Sequence, residues 1–123
     1  MHLMFGGAYQ GKTEYAKRLY GLSDAEVFSC AGTEIPAGVR AVSHLERFTR
    51  ACVERGLDAS AVWDALPISP EIVICDDIFC GVVPLEASDR LWREETGRLL
   101  RRLAERAGCV TRVLCGLPLE LKP

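Results

Sequence analysis

A short apolar run, His2-Leu3-Met4-Phe5, breaks at Gly6-x-x-x-x-Gly11-Lys12-Thr13 and gives way to Tyr15, Ala16, Leu19 and Tyr20 at helical spacing. No other feature constrains the fold as much. The residues predict a strand, a glycine-rich turn and a helix in immediate succession, and the turn matches the phosphate-binding loop pattern in full. The chemistry accounts for each position. Glycines let the loop curl so that successive N–H groups point inward at an anion. The helix that opens near Gly11 adds the positive end of its dipole. Lys12 is expected to reach the β- and γ-phosphates, and the Thr13 hydroxyl to ligate Mg²⁺. The loop residues Gly6, Gly7, Ala8, Tyr9, Gln10, Gly11, Lys12 and Thr13 are therefore the nucleotide-binding candidates, with Lys12 also catalytic.

The rest of the chain reads as further alternation. Glu26 to Cys30 predicts a second strand and 31–38 a loop. From Val42 to Gly56 the spacing is helical, with Val42, Leu45, Phe48, Cys52 and Val53 on one face, Ser43 as a cap and Glu46 at the capping-box position. A shorter helix spans about 59–66, and Pro67 and Pro70 follow it. Glu71 to Asp77, "EIVICDD", reads as a buried strand ending in acids. Residues 78–86 form a loop, 88–107 the longest helix and 110–115 the last strand. The order βαβααβαβ with apolar strands predicts an α/β fold: a single P-loop NTPase-like domain over residues 1–123, its sheet mostly parallel, with helices on both faces.

Composition narrows the partners. The net charge of −2 gives no electrostatic case for nucleic-acid binding. No run approaches the length of a membrane span. The six cysteines, Cys30, Cys52, Cys75, Cys80, Cys109 and Cys115, show no C-x-x-C spacing, and Cys30, Cys75 and Cys115 lie in apolar runs. A cytoplasmic protein with reduced thiols is expected. With so small a domain, and with Trp63, Trp92 and Phe79 expected to be partly exposed, self-association into a homo-oligomer is expected too.

A phosphate loop needs a metal-side carboxylate from a neighbouring strand. Asp76-Asp77 has that shape, and in a parallel sheet it lies on the same edge as the loop. Both aspartates are metal candidates with Thr13, and the spacing does not choose between them. The Arg and Glu of the long helix read as a solvated face.

Two segments resemble a known family. "FGGAYQGKTEYAKRL" resembles the amino-terminal loop of adenosylcobinamide kinase/adenosylcobinamide-phosphate guanylyltransferase, which runs Gly-Gly-Ala-Arg-Ser-Gly-Lys-Ser into a Tyr/His-Ala helix. The stretch from Val73 to Lys122 resembles that family's carboxyl half, with Asp76-Asp77 for Asn-Glu and Gly81-Val82-Val83-Pro84 for Gly-Ile-Val-Pro. The resemblance implies phosphorylation of the aminopropanol hydroxyl of a cobinamide-type corrinoid by ATP or GTP, then transfer of GMP through a histidine. It implies nucleotide roles for Gly6 to Thr13 and a metal or catalytic role for Asp77. It makes His44 the candidate for guanylylation. The chain departs from the family at Tyr9-Gln10, which replace Arg-Ser. It also departs in the compressed middle, where His44 is followed by Arg47 without the family's Pro and Trp, and where a strand and helix are lacking. The leading expectation is thus a nucleotide-dependent kinase. The alternative is a reduced nucleotide-binding or regulatory homologue without guanylyl transfer.

Overall fold

A computed structural model describes residues 1–79 and 86–123; Cys80 and Gly81-Val82-Val83-Pro84 lie outside the described residues. The elements, in chain order, are β1 (His2–Gly6), α1 (Lys12–Tyr20), a 3₁₀ turn (Asp24–Glu26), β2 (Val27–Ser29), β3 (Ala41–Ser43), α2 (Leu45–Glu54), α3 (Ala59–Ala65), β4 (Ile72–Asp76), α4 (Ala87–Arg106), β5 (Cys109–Leu114) and β6 (Leu117–Lys122). The strands form one sheet in the order β2-β3-β4-β1-β5-β6, parallel except for the antiparallel β5–β6 pair at one edge.

Strand alternation sorts the core. Leu3, Val42, Val73, Cys75 and Val110 point to the face covered by α2, α3 and α4, where they meet Leu45, Phe48, Trp63, Leu99 and Leu103. Met4, Ala41, Ile72, Ile74 and Val113 point to the other face, against Ala16 of α1. The strands are apolar on both sides because helices cover both sides. Leu45, Phe48 and Cys52 form the buried stripe of α2. Phe48 meets Trp63 edge-on with ring centroids 5.7 Å apart. The Asp58 side chain caps α3 by accepting from the N–H groups of Ser60 and Ala61 at 3.0 and 3.3 Å.

Three expectations are corrected. Val42 and Ser43 belong to a strand, β3, so the middle of the chain does hold a further strand. Its three residues are all buried, and the helix starts only at Leu45 after a left-handed His44, φ 56° and ψ 47°. The spacing of Val42 and Leu45 imitates one helical face across that reversal. The last segment, Leu117 to Lys122, is also a strand, joined to β5 by the two-residue turn Cys115-Gly116. Both turn residues have left-handed φ, 52° and 75°, as a tight hairpin connection requires. Trp63 is buried, and so are Cys30 and Cys75, whereas Cys115 is exposed. Burial pushes the Cys30 thiol up to about 12 and the Cys52 thiol to about 11. Among the described residues, no helix is long and apolar enough to cross a membrane.

His2 is buried at the start of β1. Its Nδ1 lies 2.8 Å from the Tyr20 hydroxyl and its Nε2 2.7 Å from Thr111 Oγ1. Burial lowers its pKa below 6.5. The folded protein therefore holds this proton less tightly than the unfolded chain. The contribution is intact above pH 6.5 and is lost as the pH falls below it, through the depressed folded value. The thermal midpoint of the wild type should drop over that interval more steeply than that of His2→Asn, as a series of melts at stepped pH would reveal.

Candidate functional site

Adjacent strands β1 and β4 send their connections in opposite directions, β1 toward the β2 edge and β4 toward the β6 edge. Such a reversal opens a crevice at the carboxyl ends of the strands. Gly6 pairs with Asp76 there, so the glycine loop leaves one lip of the crevice and the acid ends the other. Together with the amino ends of α1 and α2 they enclose a cleft of about 400 Å³.

The loop keeps its shape by local rules. Gly11 has φ 84° and opens α1, a conformation that side-chain-bearing residues seldom adopt. Tyr9 is left-handed too, φ 60°, and its side chain stands fully out in solvent at the cleft. The turn between β5 and β6 braces the loop from outside. The Gly116 N–H donates to the Gln10 carbonyl at 3.0 Å, and the Cys115 N–H donates to Gln10 Oε1.

Lys12 is almost wholly buried, yet its ammonium meets the cleft. Nζ lies 2.7 Å from Asp76 Oδ1 and donates to the Gly7 carbonyl at 2.7 Å. The loop carbonyl and the strand-end carboxylate thus hold the cation over the curl of the loop. Thr13, Glu14, His44 and Arg47 line the same cleft.

Glu46 supports Asp76 from behind. Its buried carboxylate accepts from the Asp76 backbone N–H through Oε1 at 3.0 Å and contacts His44 Nδ1 through Oε2 at 3.0 Å. The Trp92 indole N–H donates to the Glu46 carbonyl at 2.8 Å and fixes the start of α2 against α4. The sequence suggested only a capping box for Glu46. Its partner in β4, the Asp76 N–H, lies thirty residues on, and no local pattern announces it. Ligand atoms of His44, Glu46 and Asp76 lie within 4.8 Å of one another.

The two aspartates part company. Asp76 shares its side of the sheet with Ile72 and Ile74 and turns to Lys12. Asp77 follows the parity of Val73 and Cys75, lines a separate groove under α4, and accepts from the Phe79 N–H at 2.8 Å. Its own N–H donates to the Gly6 carbonyl at 2.7 Å, which ties the ends of the two central strands together. The structure brings Lys12, Thr13, His44 and Asp76 into one cleft and leaves Asp77 beside it.

A mostly parallel α/β sheet with a glycine loop, a buried lysine and a strand-end carboxylate at its reversal point has the architecture of the nucleotide-binding class of proteins. Residues 43–121 match the family described as cobinamide kinase / cobinamide phosphate guanyltransferase, and the chain belongs to that family. The match runs from the last residue of β3 through most of β6, so the carboxyl two thirds carry it independently of the glycine loop. A search of curated proteins finds no match to the chain.

Proposed function

We propose that this chain binds a purine nucleoside triphosphate, ATP or GTP, in the cleft above Gly6–Thr13. It transfers the terminal phosphoryl group to a hydroxyl of a cobinamide-type corrinoid. The observation that carries this reading is the placement of Lys12, held between Gly7 and Asp76 at the mouth of a curled glycine loop. Membership of a family of cobinamide kinases and guanyltransferases supports the acceptor. Phosphoryl transfer asks a protein for positioning and charge neutralisation rather than covalent chemistry. Loop N–H groups and the α1 dipole take the phosphates, and Lys12 leaves Asp76 for the bridging and terminal oxygens.

The Thr13 hydroxyl and the Asp76 carboxylate line this cleft, and hard oxygen donors of this kind suit Mg²⁺. They would hold it, and it would neutralise charge on the phosphate oxygens. Glu46 keeps the Asp76 main chain in place for that task. His44 stands where a nucleotide's phosphates would pass, with Nδ1 against Glu46, so guanylyl transfer through this residue is the further step of the same reading.

Calorimetry with ATP and with GTP, each with Mg²⁺, beside a turnover assay on adenosylcobinamide, tests both parts. Saturable binding with phosphorylated product is the expected result. Binding without product would favour a nucleotide-binding module that serves a partner. No heat with either nucleotide would sink the reading.

A further inference from the structure

We propose that the groove beneath α4 is a second binding site, which takes a small amphipathic anion: an apolar body carrying a carboxylate, sulfonate or phosphate. The groove has a volume of about 550 Å³, within the range of small-molecule sites. It is separate from the nucleotide cleft, since Asp76 and Asp77 point to opposite sides of the sheet. Its floor is apolar, formed by Leu3 and Phe5 of β1, Val110 of β5 and Leu100 of α4.

The charge on its walls selects the ligand. Arg101 of α4, Arg112 of β5 and Lys122 of β6 line the groove together with one carboxylate, Asp77, which accepts from the Phe79 N–H at 2.8 Å, so the walls are positive on balance. The other arginines of α4 are engaged. Arg102 and Arg106 pair with Asp64, Arg98 pairs with Glu94 and Glu95, and Arg90 and Arg93 also have partners. Arg101 and Arg112 make no ion pair or hydrogen bond among the described residues. Lys122 at the far end gives its ammonium to the neutral carbonyls of Ala104 and Glu105, at 3.1 and 3.2 Å, and keeps its positive charge there. Two uncommitted guanidinium forks over an apolar floor complement a ligand with one anionic head and one apolar body. The size of the groove favours a free small molecule over a protein segment.

The test uses the whole chain and the fluorescent anion anilinonaphthalene sulfonate, with decanoate and decanol as competitors. One probe should bind per chain. Decanoate should displace it and decanol should not, because only the first offers a charge. Arg101→Gln and Arg112→Gln should each weaken binding by roughly tenfold, the scale of one lost charged hydrogen bond, and Arg→Lys at either position should fall between wild type and the glutamine variant, since it keeps the charge and loses the fork. Both side chains are exposed, so neither change threatens folding. Saturating Mg²⁺-ATP should leave probe binding unchanged, which keeps this result distinct from that of the nucleotide cleft. The proposal is overturned if the probe fails to bind, or if decanol competes as well as decanoate. It is also overturned if the glutamine variants bind like wild type, or if an acidic apolar peptide binds there and decanoate does not.

Discussion

Lys12→Ala is expected to slow phosphoryl transfer by about two to three orders of magnitude, the scale seen when a single preorganised donor to a developing anion is removed. Three features make the expectation large. The ammonium is buried, so its field is poorly screened by water. It is fixed before ligand arrives by the Gly7 carbonyl and Asp76. Its loss also leaves the Asp76 carboxylate without its ammonium partner beside the loop, which adds repulsion of an incoming phosphate to missing attraction. Single-turnover measurements separate these effects. A fall in the chemical step with nucleotide affinity less affected would mark Lys12 as acting on the transition state. Equal rates for variant and wild type would remove Lys12 from the mechanism.

Gly6→Ala is expected to destabilise the fold by about 3 kcal/mol or more, at the upper end of overpacking effects. A Cβ at Gly6 would stand 2.3 Å from the Val113 carbonyl oxygen, and that obstacle is backbone in a central strand. The sheet would have to part between β1 and β5 or the loop would have to tilt. Either motion strains the bond from the Asp77 N–H to the Gly6 carbonyl, and so disturbs both strand ends at the cleft. Gly7→Ala is the control, because its Cβ would meet only the flexible Gln10 side chain, at 3.4 Å. Denaturant titration should give a much lower midpoint for the first variant and a near-native one for the second. Similar midpoints would mean that the close approach of Val113 does not govern this position.

What could be read from the residues alone follows a physical line. The glycine loop and the acid-ended strand "EIVICDD" are legible because their chemistry is contiguous in the chain. The choice between Asp76 and Asp77 was not, since it depends on which strand residue meets the lip of the sheet. Once β4 is paired, parity decides it: Ile74 and Asp76 go one way, Cys75 and Asp77 the other. β3 is not legible because three residues are too few to display a period, and because the reversal at His44 is a backbone state without a sequence signal. β6 alternates Leu-Pro-Leu-Glu-Leu-Lys, but Pro118 argues against a strand unless the strand lies at an edge, as it does here. Glu46 could be recognised only after β4 had been brought against α2.

The bond pair between Gln10 and the Cys115-Gly116 turn has a consequence beyond local geometry. A glycine-rich segment left to itself would sample many shapes, and capturing an anion would then have to freeze it. Here the freezing is met at folding, when the terminal hairpin docks. On the proposed reading, affinity at the cleft is inherited in part from an outlying ribbon that contributes none of the cleft's lining residues, and the far edge of the sheet acts as its buttress.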